Sequence, residues 1–302
     1  MGLLTGHVAS DGPRALRQLL ARPEPALAPG AFDALSARVV EEAGFDAVYM
    51  TGFGSSASLL GQPDVGLLTE NEMMENARRM AQAISVPLIA DADTGYGNPL
   101  NVIRTVREYE RAGIAALHIE DQVSPKKCGH MDRKRVIPAL EMAAKIRAAA
   151  DARSDNGILI IARTDARAME GLDAALDRAE RYRDAGADIL FVEAPQSMDE
   201  IERVAQRLSG APLLFNWAEG GKTPPVGLKD LSALGFKLII FPISLLLSAT
   251  QAMRAAAARI REDGSPINLV QTLPSFQEFN DFIGLPQVKQ VENRYGVEDW
   301  DN

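Results

Sequence analysis

Residues 172–194 read "LDAALDRAERYRDAGADILFVEA", and their reading decides the fold. From Leu172 to Ala185 the apolar side chains recur at helical spacing, and Gly186 stands where glycine is favoured just past a helix C-terminus. "ILFVEA" follows at once as a short apolar run, the pattern of a parallel strand buried on both faces. The unit then recurs. "DALSARVVEEAG", "NVIRTVREYERAG" and "MDEIERVAQRLSG" show the same helical spacing and the same terminal glycine.

Eight strand candidates result, at 26–30, 47–51, 87–93, 115–121, 158–165, 189–194, 212–217 and 238–242. A repeating αβ unit of about 25 to 30 residues predicts an α/β protein with right-handed crossovers. Eight units favour a closed (β/α)8 barrel of the TIM type over an open sheet. Residues 1–262 are assigned to that barrel. Residues 263–302 carry Phe276, Phe279, Phe282 and Leu285 at near-helical spacing, so a C-terminal helical extension is expected to pack on the barrel or on a partner subunit.

Composition narrows the function classes. The 302 residues are 46% hydrophobic and 24% charged, enough apolar material for one large core. A formal charge of −9 without a basic stripe argues against a nucleic-acid partner. The single cysteine rules out an internal disulfide and suits a reducing compartment, so a cytoplasmic location is expected. "MGLLTGHVASDGPRALRQLL" lacks the basic and apolar regions of a secretory leader, and Lys237 and Pro242 interrupt the most apolar later stretch, so no membrane span is expected.

In a barrel of this kind the chemistry sits at the C-terminal ends of the strands. Those ends collect Thr51, Asp91, Asp93, Glu120, Asp121, Arg163, Asp165, Glu193 and Asn216. A lone Asp reads first as a helix cap. Carboxylates at successive strand ends instead repel one another unless a cation intervenes, and hard oxygen ligands suit Mg²⁺ or Mn²⁺. Asp64, in "GQPDVG" after the second strand, is placed to reach the same metal through water.

"KKCGH", residues 126–130, falls in a connection of roughly 17 residues after the fourth strand, far longer than the usual βα loop of about 2 to 6. Such loops are often lids. A lone cysteine is commonly a small buried hydrophobe, but Cys128 sits among lysines and a histidine, and an ordinary thiol is mostly protonated at neutral pH and can donate.

Taken together, "YMTGFGSSASLLGQPDVGLLT", "DADTGYGN", "HIEDQVSPKKCGHM", "IARTDAR", "FVEAP" and "NWAEGGKTP" make the chain resemble the isocitrate lyase and phosphoenolpyruvate mutase superfamily over nearly its full length. The subgroup it looks most like contains 2-methylisocitrate lyase, 2,3-dimethylmalate lyase and petal death protein. The resemblance implies a barrel whose eighth helix is exchanged between subunits, giving a dimer of helix-swapped dimers. It implies that Asp91 and Asp93 hold Mg²⁺ with help from Asp64 and Glu120. Thr51, Gly52 and Phe53 would line the substrate carboxylate site with Tyr49. Lys126, Cys128, Gly129 and His130 would form the lid, and Arg163, Glu193 and Asn216 would contact a small carboxylate substrate.

The implied reaction is carbon–carbon cleavage of a 2-hydroxy dicarboxylate, with Cys128 protonating the departing carbanion. Tyr49, Arg163 and a hydroxide on the metal stand as candidates for the base. Leu247 falls where methylisocitrate lyases carry an arginine, which favours a 2-alkylmalate such as 2,3-dimethylmalate over methylisocitrate. An oxaloacetate hydrolase, with Ser244 holding a hydrated ketone, is the alternative. A phosphonate-forming mutase and a noncatalytic metabolite-binding barrel rank below it.

Overall fold

A computed structural model of the protein describes residues 11–129, 131 and 133–296. Eight strands, β1 (Ala26–Ala31), β2 (Val48–Met50), β3 (Leu88–Asp91), β4 (Ala116–Glu120), β5 (Leu159–Thr164), β6 (Ile189–Val192), β7 (Leu213–Asn216) and β8 (Phe236–Phe241), close into a barrel in sequence order. Every neighbouring pair is parallel, and β1 returns to β8 through Ala26 opposite Leu238. The strands overlap all eight sequence candidates; β8 begins earlier, at Phe236, and carries Lys237 out to the carbonyls of Arg22 and Pro23.

Two packed shells follow from the strand period of two. Ala28, Tyr49, Ile89, Ala116, Ile161, Phe191, Leu214 and Ile240 fill the barrel interior, while Met50, Leu88, Leu117, Ile160 and Leu190 face the surrounding helices. The interior is closed at its N-terminal end by α1 (Gly12–Leu20), whose Leu16, Leu19 and Leu20 belong to the interior cluster. The sequence reading had not assigned this helix. Arg17 fixes it to the opposite loop through the Asn156 and Gly157 carbonyls, at 2.7 and 2.8 Å.

The outer helices include α2 (Ala34–Glu42), α3 (Gly52–Leu60), α4 (Glu70–Ala83), α5 (Pro99–Arg111) and α6 (Ala139–Ala152). Capping boxes at Asp33 with Ser36, Thr69 with Glu72 and Asn98 with Asn101 set the start of three of them. The repeat continues through α7 (Arg167–Glu170), α8 (Leu172–Asp184), α9 (Met198–Arg207) and α10 (Leu228–Ala233).

After β8 the packing changes. The helix α11 (Ser244–Asp263) has 20 residues, none of them buried, and ends on Gly264 in the left-handed conformation. Two short helices follow, α12 (Phe276–Ile283) and α13 (Leu285–Tyr295), as expected for the extension. They touch the barrel at α2, where Arg38 stacks on the Phe282 ring at 5.3 Å and donates to the Phe282 carbonyl. No helix of the described residues is long and apolar enough to cross a membrane.

Candidate active site

Side-chain parity brings the site together. Tyr49, Asp91, His118, Glu120, Arg163 and Glu193 lie on the same face of their strands as the interior cluster, and all are buried. One position further along the fourth strand end, Asp121 turns outward. It accepts hydrogen bonds from Thr164 Oγ1 at 2.7 Å, Tyr182 Oη at 2.9 Å and the Asp165 amide at 2.9 Å, so it braces the β5 end rather than facing substrate.

Arg163 is one of the cations of the mouth. Its Nε lies 2.9 Å from Asp165, 3.2 Å from Glu120 and 3.8 Å from Glu193, and its guanidinium rests over the Phe191 ring at 5.1 Å. Asn216 Nδ2 lies 3.3 Å from both Glu193 oxygens. Burial alone would raise the Asp165 pKa, but Arg163 and Lys134 hold it at about 2.

Around Asp91 the arrangement is different. Tyr49 Oη lies 2.8 Å from His118 Nε2, and that nitrogen lies 3.5 Å from Asp91 Oδ1. Burial pushes the His118 pKa down to about 4, so the ring is neutral near pH 7. Burial, with Asp91 alongside, pushes the Tyr49 phenol well above its usual value, so it stays protonated. His118 escaped the sequence reading, although its place between Ala116 and Glu120 on one strand face was the available signal.

The helix start at Thr51–Phe53 faces this corner. Thr51 caps α3 by accepting from the Gly54 amide, and Gly52 leaves room for Asp91, since a Cβ there would sit 2.2 Å from Asp91 Oδ2. The first-turn amides thus stand at the positive end of a helix, a favourable place for a carboxylate.

Lys126 enters from the lid loop and lies 2.7 Å from Asp64 and 2.8 Å from Asp93. Asp64 and Asp93 thus share one lysine ammonium. Among the described residues no three acidic, histidine or cysteine side chains converge closely enough to form a metal cage. The donor set nevertheless fits a divalent cation. Asp64, Asp91, Asp93, Glu120, Asp165 and Glu193 are six buried carboxylates facing the three buried cations Lys126, Lys134 and Arg163. Neither Glu120 oxygen has a hydrogen-bond partner among the described residues. Burial pushes Glu120 well above the carboxylate range and, with Asp91 and Asp64 nearby, Asp93 up to about 6. Burial disfavours the charged form of both groups, which a bound cation would restore.

The lid seats directly on these groups. Gly129 packs so closely that a Cβ would meet Arg163 Nη2 at 2.4 Å and Glu193 Oε1 at 2.6 Å. Cys128 is half-buried, with its amide donating to the Asp64 carbonyl at 3.2 Å. Gln122 ties the loop at the Lys127 backbone, at 2.7 and 3.1 Å. His130, assigned to the lid from sequence, lies outside the described residues. Phe53 is partly buried beside Thr51, whereas Leu247 is 48% exposed on the first turn of α11.

A model of the phosphoenolpyruvate phosphomutase family matches residues 16–261. The chain belongs to this family. Within the isocitrate lyase/phosphoenolpyruvate mutase superfamily it is a carbon–carbon lyase. It is 48% identical to the 2,3-dimethylmalate lyase of Eubacterium barkeri over 282 residues, 93% of this chain and 97% of that one. An oxaloacetate acetylhydrolase in complex with 3,3-difluorooxalacetate superposes with a TM-score of 0.90 at 37% identity, covering 95% and 97% of the two chains. A phosphonopyruvate hydrolase in complex with oxalate and Mg²⁺ superposes with a TM-score of 0.86 at 33% identity, covering 94% and 99%.

Proposed function

We propose that this superfamily member cleaves a 2-alkylmalate, such as 2,3-dimethylmalate, to a 2-oxo acid and a second carboxylate, with Mg²⁺ or Mn²⁺ as cofactor. The observation that carries the reading is the seating of Gly129 on Arg163 and Glu193, which brings the cysteine loop over the mouth. Asp91 and Asp93 would hold the cation, assisted by Asp64 and Glu120. When bound, it supplies Lewis-acid stabilisation of negative charge on the substrate oxygens.

The chain's own residues account for the rest. The start of α3 and Arg163 receive the substrate carboxylates, and Asn216 is held in place by Glu193. As the C2–C3 bond breaks, the hydroxyl proton leaves C2–OH and the bonding pair passes to C3, where the adjacent carboxylate delocalises it. Cys128 then protonates C3. Tyr49 and Arg163 stand as candidates for the group that takes the hydroxyl proton; Tyr49 Oη lies 2.8 Å from His118 Nε2.

Substrate choice follows from the walls. Beside Asn216, in the loop after β7, a cavity of about 240 Å³ is lined by Trp217, Ala218, Gly220, Gly221, Thr223, Pro224 and Pro225 with no charged side chain among them, which suits an alkyl group better than a third carboxylate. The hydrolase alternative asks for a free hydroxyl after β8, but the Ser244 hydroxyl is engaged by Glu219. We further assign α11 to exchange between subunits, since its Leu247, Met253 and Ile260 remain exposed in the single chain. A cytoplasmic homo-oligomer acting on small carboxylates is the corresponding assignment.

A coupled assay for 2-oxo-acid release with Mg²⁺, offering 2,3-dimethylmalate, other 2-alkylmalates and methylisocitrate, tests the reading. Pyruvate release from an alkylmalate that is lost in Cys128→Ser is the expected result. Oxalate formed from oxaloacetate, with no alkylmalate cleaved, would overturn it.

A further inference from the structure

Lys145 is a buried charge that the proposed chemistry does not use. It lies on the inner face of α6 with Met142, Ala143, Ile146 and Ala149 and is 3% exposed. A lysine on a helix ordinarily extends its ammonium to water. Here the ammonium turns inward and donates to the Thr94 carbonyl, and no carboxylate among the described residues forms an ion pair with it. Burial pushes its pKa below the ordinary lysine value. A methionine would fill the same volume without that desolvation, so packing does not explain a lysine.

Thr94 belongs to the turn that follows β3. Four of the five residues from Asp93 to Gly97 have positive φ: Asp93 at 46°, Gly95 at 77°, Tyr96 at 58° and Gly97 at 150°. Asp93 and Tyr96 are not glycines, so this backbone is strained and persists only where surrounding groups over-determine it. Several groups do so. The Gly95 amide donates to the Ala92 carbonyl at 2.8 Å, the Glu120 amide to the Asp93 carbonyl at 2.9 Å, and Thr105 Oγ1 to the Gly95 carbonyl at 3.4 Å. Lys145 adds a charged donor from a second helix, at the residue next to Asp93.

We propose that Lys145 is a positioning residue for the divalent-cation site: its ammonium clamps the Thr94 carbonyl and so holds the Asp93 turn in the form that aims Asp91 and Asp93 into the barrel mouth. The inference rests on the reading of those two carboxylates as cation ligands. Lys145 touches neither the cation nor the substrate; it acts through the backbone.

Two readouts on the full-length protein test it. Binding of Mn²⁺ alone is titrated by electron paramagnetic resonance in wild type, Lys145→Met, Lys145→Arg and Asp93→Asn. Amide hydrogen exchange is measured without metal across the turn. Lys145→Met should weaken Mn²⁺ binding about tenfold or more, the usual range for loss of an outer-shell partner, and Lys145→Arg should restore part of it. The Gly95 and Glu120 amides should exchange faster in Lys145→Met while those of α6 keep their rates. Wild-type Mn²⁺ affinity in Lys145→Met, or unchanged exchange in the turn, overturns the proposal. If wild type binds no Mn²⁺, or Asp93→Asn binds it equally well, the cation reading fails and exchange alone decides whether Lys145 holds the turn. Should Lys145→Met not fold, Lys145→Gln carries the same two readouts.

Discussion

Lys134 Nζ lies 2.6 Å from Asp165 Oδ1, and both side chains are sealed from solvent. The same ammonium donates to the Gly129 carbonyl, while Asp165 also holds Arg163 through Nε and Nη2 at 2.9 and 3.2 Å. One ion pair therefore joins the cysteine loop to the guanidinium of the mouth. Lys134→Met should leave Asp165 with Arg163 as its remaining cation and lower stability by about 3 kcal/mol, read as a shifted urea midpoint with an unchanged slope. Turnover should fall with it, because Gly129 loses its anchor. A variant as stable as wild type would mean that Arg163 alone neutralises Asp165.

Gly129→Ala tests the closeness of the lid. The added methyl would lie 2.6 Å from Glu193 Oε1 and 2.4 Å from Arg163 Nη2, inside any permitted contact. Arg163 and Glu193 are themselves pinned, so the loop must give way. Displacement of about 1 Å at a catalytic group can lower the rate by roughly 10²-fold. The expected outcome is a large fall in kcat with little change in the thermal midpoint, since the loop and not the barrel moves. Wild-type kcat would show that the loop sits elsewhere during turnover.

At the barrel mouth, the six buried carboxylates against the three cations Lys126, Lys134 and Arg163 also predict a metal dependence of stability. Mg²⁺ at about 100 times its Kd should stabilise the folded state by roughly 2.7 kcal/mol through binding alone, and chelation should remove the gain. Differential scanning calorimetry with Mg²⁺ and with chelator measures it. Glu120→Gln removes one of the groups proposed to hold the cation, so it should narrow the difference between the two conditions.

The barrel was legible because parallel strands buried on both faces leave short apolar runs, and most of these runs are separated by segments of helical spacing, several of them ending in glycine. The mouth was legible for the same reason: polar residues at the ends of such runs, Asp91, Glu120, Arg163 and Glu193, have nowhere else to point. Long-range pairing was not legible. Nothing near Lys126 in sequence marks Asp64 as its partner, and Lys134 reads like any loop lysine. Lys145 did leave a trace, since 142, 145, 146 and 149 form one apolar stripe interrupted by a charge. The nine-residue helix α1 was missed because its fixed position depends on Arg17 reaching carbonyls 139 and 140 residues away.

His118 gives the protein an acid limb that can be worked out in sign. Its folded pKa is about 4, lowered first by burial, against a usual value of 6.5. Between those values the unfolded chain binds a proton that the folded chain refuses, so stability falls as pH drops through the window. The contribution is fully present above about pH 6.5 and is lost by about pH 4, a difference of roughly 3 kcal/mol for one such group. The mechanism is electrostatic: a charged ring at this depth would be 0% exposed, with Tyr49 and Asp91 as its polar neighbours. His118→Gln removes the titration while keeping a polar side chain near Tyr49. Urea titrations in chelator at half-unit steps from pH 7.5 to 4 should therefore show a steep loss in wild type and a shallower one in the variant. Equal slopes would locate the acid sensitivity in other groups and mean that His118 takes up its proton as readily in the folded chain as in the unfolded one.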